Sequence, residues 1–116
     1  MIKILHNPRC SKSRATLKLV RSKGIEPEVI EYLKDAPSSS QLRDILAMLG
    51  KRPRDIIRRG EKIYKKLGLD DPDLSDDVVI EAMVDHPILI ERPIVIKGKK
   101  AALGRPPKDV LKILKL

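Results

Sequence analysis

Along the chain, apolar residues follow a strand period at the two ends and a helix period in the middle. Ile2 to Leu5 form an apolar run. Nine residues follow, His6-Asn7-Pro8-Arg9-Cys10-Ser11-Lys12-Ser13-Arg14, in which polar and basic side chains flank the cysteine, and from Ser11 to Lys23 the pattern is helical. Gly24 suits a helix C-terminus, and Glu28 to Leu33 reads as a second strand. Strand, helix and strand within so short a span make a βαβ unit, which requires parallel strands and a right-handed crossover. Between Ser38 and His86 the spacing is helical. Ser38, Ser39 or Ser40 caps a helix carrying Leu42, Ile45, Leu46 and Leu49, and Gly50 ends it. Pro53 opens a short helix with Ile56 and Ile57 inward, and another turn or two runs from Glu61 to Leu67. Ser75 caps a further helix whose stripe is Val79, Ala82 and Met83, and Pro87 halts it. The period then changes again. Ile94-Val95-Ile96 and Ala101-Ala102-Leu103 flank Lys97-Gly98-Lys99-Lys100 as an antiparallel hairpin, and a last helix carries Val110, Ile113 and Leu114. This order predicts an α/β fold: βαβ and ββα halves around a four-stranded mixed sheet, with a helical insertion over about 38–86 inside a single domain of 1–116.

Composition narrows the picture. The 116 residues include no Phe or Trp, so the core must be aliphatic. A single cysteine makes no internal disulfide and points to a reducing, cytoplasmic setting. No apolar stretch is long enough to cross a bilayer, so no membrane is expected. Twenty-five basic against 16 acidic residues give a net charge of +9, which attracts anions. Nucleic-acid binding brings stacking aromatics, and only Tyr32 and Tyr64 are present, so a small anion is the better match.

The chemistry-bearing residues gather at the first strand-to-helix junction. Cys10 stands where a helix begins, and there unpaired N–H groups and the helix dipole favour a thiolate over a thiol. Arg9, Lys12 and Arg14 add positive charge, and the Ser13 hydroxyl is placed to reach the sulfur from the first turn, to cap the helix N-terminus, or both. His6, four residues earlier, is a second candidate for holding the thiolate or placing a water, or a strand-end histidine bonded to backbone. Arg92 and Arg105, each before a proline, and Arg58 in the middle helices are candidates for an oxyanion clamp, since a guanidinium binds a tetrahedral oxyanion through two parallel bonds. X–Pro bonds are the ones that adopt cis geometry, and a cis Arg92-Pro93 bond would bend the chain there. His86 reads as a helix C-cap, and two histidines with one cysteine form no zinc spacing. Cys10-Ser11-Lys12-Ser13 has no second cysteine, so an adduct on Cys10 needs an outside thiol such as glutathione, or a partner redox protein.

His6-Asn7-Pro8-Arg9-Cys10, Ser13-Arg14, His86-Pro87-Ile88-Leu89-Ile90, Glu91-Arg92-Pro93-Ile94-Val95 and Gly104-Arg105-Pro106-Pro107 together resemble the glutaredoxin-dependent arsenate reductase (ArsC) family, over nearly the whole chain and in order. The resemblance implies a thioredoxin-like fold with no bound cofactor. It implies arsenate, or a related oxyanion, held by Arg58, Arg92 and Arg105 and attacked by Cys10. Glutathione acts as co-substrate and glutaredoxin clears the mixed disulfide. It also implies that His6 helps keep Cys10 ionised, that Ser13 hydrogen-bonds the sulfur and that Pro93 is the family's cis proline. Two alternatives stay open: a regulator similar to the Spx proteins that binds RNA polymerase, and a monothiol glutathione-linked oxidoreductase without arsenate specificity.

Overall fold

A computed structural model describes residues 2–114, which form two compact units. The first combines Met1–Asp35 with Arg92–Leu116, and the second is Ala36–Glu91, so the helical insertion occupies a unit of its own.

In the first unit, β1 (Ile2–His6) runs into α1 (Ser11–Ser22) and then β2 (Glu28–Glu31); after the insertion come β3 (Ile94–Lys97), β4 (Lys100–Leu103), a 3-10 turn (Pro107–Val110) and α6 (Leu111–Leu114). The sheet order is β2-β1-β3-β4. β1 pairs with β2 in parallel, Ile4 opposite Val29 and His6 opposite Glu31, and with β3 antiparallel, Ile4 opposite Val95. β3 and β4 make the hairpin, closed by Gly98 at φ 60°. This is a thioredoxin-like mixed sheet. β1 has a neighbour on both sides and buries four of its five residues, whereas the edge strand β2 buries none. The core is aliphatic: Ile2, Ile4, Val20, Val95, Ala102, Val110 and Leu114, rimmed by Leu17, Leu19, Ile25, Leu111 and Ile113. Each fully buried Ile, Val or Leu among them contributes about 1.5–3 kcal/mol.

Two details differ from the sequence expectation. β2 stops at Glu31 rather than Leu33, because the N–H groups of Lys34 and Asp35 close onto the Glu31 carbonyl and Tyr32 is buried completely. The last helix starts as a 3-10 turn, since Pro106 and Pro107 supply no N–H and the first bond formed is Asp109 N–H to the Pro106 carbonyl.

The second unit packs α2 (Ser39–Leu49), α3 (Pro53–Ile56), α4 (Lys62–Lys66) and α5 (Asp76–Asp85), followed by a 3-10 turn at Pro87–Leu89. Ser38 and Gln41 form a reciprocal capping box on α2, and Gly50 ends that helix in the left-handed conformation. Ser75 caps α5, with Asp76 and Asp77 in its first turn. Buried on α5 are Val79, Ile80 and Met83; Ala82, expected in the stripe, is half-buried. Ile57 bridges to Ile90, which ties α3's exit to the chain leaving the unit. Among the described residues no helix is long and apolar enough to cross a membrane.

Candidate active site

The loop between β1 and α1 is a hydrogen-bonded turn. Cys10 N–H donates to the Asn7 carbonyl at 3.0 Å, and Arg9 N–H donates to Asn7 Oδ1 at 3.0 Å. Asn at the first position and Pro at the second are the residues such a turn prefers. Asn7 is 4% exposed, so the turn is anchored inward rather than swinging free. The turn delivers Cys10 in extended geometry (φ −93°, ψ 123°) to the N-cap position of α1, a partly buried thiol where a capping oxygen usually stands. Cys10 makes no conventional side-chain capping bond, and the first turn holds no acidic residue to compete for the helix's positive end.

Burial pushes the Cys10 thiol up, but the Ser13 N–H, the Arg92 guanidinium and the Lys12 N–H together outweigh it and hold the thiol below its ordinary value. The charge acting on the sulfur is therefore Arg92's. The side chains of Arg9, Lys12 and Arg14 were expected to supply it; instead Lys12 acts through its amide, and Arg14 donates from Nη1 to the Pro8 carbonyl at 2.8 Å.

Arg92 enters from the bend that follows the insertion, two residues before β3. It is 9% exposed, its Nε and Nη1 are shut off from solvent, and it hydrogen-bonds the Cys10 sulfur. Arg105 Nη1 donates to the Arg92 carbonyl at 3.1 Å, so the second arginine braces the first one's backbone. Both Arg92-Pro93 and Arg105-Pro106 are cis. Gly104 makes the approach possible. A Cβ there would stand 2.6 Å from Thr16 Oγ1 and 2.7 Å from Pro93 Cγ, inside contact distance. Gly104 N–H donates to the Pro93 carbonyl at 2.9 Å, which ties the end of β4 to the start of β3 beside α1.

His6 and Ser13 form a pair beneath the turn. Ser13 is fully buried and His6 is 6% exposed. The Ser13 hydroxyl accepts the Asn7 N–H at 3.0 Å and lies 2.6 Å from His6 Nδ1. The hydroxyl was expected to reach the sulfur; the structure gives it to Asn7 and His6, and the residue's N–H acts on the sulfur instead. The reason is direction: a side chain on the helix's first turn leans back toward the strand, whereas the N–H points along the axis at the N-cap. Burial lowers the His6 pKa, Glu31 opposes this, and Arg21 and Arg14 add to it, so the ring is neutral. His86 closes α5 as its C-cap, its N–H donating to the Ala82 carbonyl.

Arg58 lies in the second unit. Its Nε donates to Glu61 Oε2 at 3.1 Å and its Nη1 to Glu91 Oε1, with all three side chains less than a third exposed. Burial would lower its pKa, but the two carboxylates outweigh this and raise it. Among the described residues, no group of three or more His, Cys, Asp or Glu is placed to hold a metal ion.

The sequence and fold that carry this site match known proteins. Residues 5–113 match the ArsC family. The chain belongs to the ArsC family. It is 51% identical over 114 residues to an uncharacterised protein of Escherichia coli K12, covering 97% of this chain and 96% of that one. It is 49% identical to an arsenate reductase of Neisseria meningitidis, with 97% of each chain covered. The solved structure of an arsenate reductase from Vibrio cholerae superposes with a TM-score of 0.94 at 49% identity, covering 97% of this chain and 96% of that chain. Of the residues that shape this site, Asn7 and Gly104 stand within the motifs quoted above with no role assigned to them, and Thr16 stands in none. The Asn-Pro dipeptide is a legible turn signal for Asn7, but no local pattern marks Thr16 or Gly104.

Proposed function

We propose that this ArsC-family protein reduces arsenate to arsenite through Cys10, with glutathione as co-substrate and glutaredoxin as the partner that regenerates the thiol. The observation that carries the reading is the contact of the Arg92 guanidinium with a thiol already lowered by the α1 amides. One group thus both favours the nucleophile and offers donors to an incoming oxyanion. The Cys10 thiolate attacks arsenic and water leaves, giving a Cys10–S–As(V) bond. The glutathione thiol then attacks the Cys10 sulfur. The S–As bond breaks with its electron pair going to arsenic, which departs as As(III) in arsenite, and Cys10 is left in a mixed disulfide with glutathione. A glutaredoxin thiol attacks the glutathione sulfur of that disulfide and frees Cys10. Arg92 and Arg105 hold the oxyanion, while Ser13 and His6 keep the turn and its cysteine in position. The family resemblance assigns Arg58 to the same oxyanion. Its guanidinium already holds two carboxylates, so joining the substrate requires release of Glu61 or Glu91.

The test is NADPH consumption coupled through glutathione reductase, with arsenate, glutathione and glutaredoxin. Turnover is expected to need all three, to vanish in Cys10→Ser, and to fall about 100-fold or more in Arg92→Ala, as for loss of one preorganised oxyanion donor. Arg58→Ala is expected to cost less than Arg92→Ala. Absence of arsenate turnover in the wild type, or its survival in Cys10→Ser, overturns the reading; disulfide turnover without arsenate turnover identifies a monothiol oxidoreductase instead.

A further inference from the structure

Beside the cysteine turn lies a cleft of about 370 Å3 that the arsenate chemistry leaves unused. His6 and Glu31 pair at the ends of β1 and β2, so the chain segments leaving those strands start side by side. They line the cleft with Pro8 and Arg9 from one segment and Leu33 and Lys34 from the other, together with His6 and Glu31. A tetrahedral oxyanion fills only a small part of such a volume, which is instead in the range of sites for organic ligands. Its charges are two cations and one carboxylate: Arg9, exposed, Lys34, 82% exposed, and Glu31, whose Oε1 stands 3.9 Å from Lys34 Nζ. Leu33, an apolar side chain 41% exposed, and Pro8 supply apolar surface between them.

We propose that this cleft is the binding site of the thiol co-substrate, a γ-glutamyl tripeptide. Glutathione carries two carboxylates, one ammonium and a thiol between them, the inverse of the cleft's charge set. Its carboxylates go to Arg9 and Lys34 and its ammonium to Glu31. Arg9 is the chain neighbour of Cys10, so the two Cα atoms are about 3.8 Å apart, and a ligand held on Arg9 lies beside the cysteine turn. The proposal rests on the reading that glutathione is the reductant, and it assigns that role a location.

The test uses the full chain without arsenate. The Cys10 thiolate attacks one sulfur of oxidised glutathione, the S–S bond breaks, Cys10 becomes glutathionylated and one glutathione thiolate leaves, with no net oxidation. The rate is followed by mass spectrometry and divided by the rate with hydroxyethyl disulfide, an uncharged disulfide, so that changes in sulfur reactivity cancel. In Lys34→Glu the ratio is expected to fall about fivefold, as for reversal of an exposed charge contact, and Lys34→Arg is expected to restore it. Rising salt is expected to lower the wild-type ratio as well. A ratio that is the same in the wild type and Lys34→Glu overturns the proposal. So does a Lys34→Glu variant that keeps the ratio and loses only its coupling to glutaredoxin, which marks the cleft as a protein-docking surface. Because arsenate is absent, failure of this test leaves arsenate reduction standing, and failure of arsenate turnover leaves this result interpretable.

Discussion

Replacing Ser13 with alanine isolates the pair that supports the cysteine turn. The side chain is fully buried, and its hydroxyl serves Asn7 N–H at 3.0 Å and His6 Nδ1 at 2.6 Å. Alanine leaves both groups without that partner in a buried position. An unsatisfied buried polar group costs about 1–3 kcal/mol, so the two together cost about 2–6 kcal/mol. Alanine is the better helix former by about 0.5 kcal/mol, which leaves a net loss of about 1.5–5.5 kcal/mol. That is a large part of a typical stability of about 5–15 kcal/mol. At this chain length each kcal/mol moves the melting temperature by about 4 °C, so a drop of about 6–22 °C is expected. The assay is urea and thermal unfolding followed by circular dichroism at pH 7.5. Ser11→Ala is the control: it changes an exposed serine in the same turn of α1 and is expected to stay within about 0.5 kcal/mol of wild type. A Ser13→Ala loss no greater than that of the control refutes the hydroxyl bridge, and with it the account of how His6 is held.

Other outcomes follow from the same geometry. Alkylation of Cys10 by iodoacetamide against pH is expected to turn on below the range of a free thiol, because the folded state favours the thiolate, and Arg92→Ala is expected to move the inflection up; an unshifted wild-type titration refutes the electrostatic reading. Gly104→Ala is expected to lower stability by about 1–3 kcal/mol, since its Cβ meets both Thr16 and Pro93, and adding Thr16→Ala is expected to recover only part, because the Pro93 ring remains; full recovery in the double variant refutes this packing. His6 is held neutral with its pKa below 6.5, so in acid the unfolded chain binds a proton that the folded chain refuses. Stability is thus fully present above about pH 6.5 and declines as pH falls through the folded value. The urea midpoint is expected to drop between pH 7.5 and 5.5, and to drop less in His6→Gln; an equal drop refutes the assignment.

Features that depend on near neighbours in the chain are legible without the structure. The cysteine at a helix start, a serine cap at Ser38, Ser39 or Ser40 and the Lys97-Gly98-Lys99-Lys100 hairpin are all governed by bonds spanning a few residues. The end of β2 was less legible, because Tyr32 continues the strand pattern by residue type while packing draws it inward. Period and propensity carry no information about such a pull.

The amino-acid order alone determined the alternation of elements, the aliphatic core and the position of one nucleophile at a helix's positive end, since each arises from periodicity, capping or turn chemistry acting locally. Only tertiary packing decided which of the 25 cations reaches the sulfur, which partners take the Ser13 hydroxyl, and that Arg58 is held by Glu91, 33 residues away. Gly104 shows why: the groups it must clear are Thr16, 88 positions earlier, and the Pro93 ring, and a contact across such a separation follows from how the strands and helix stack, which no local spacing encodes.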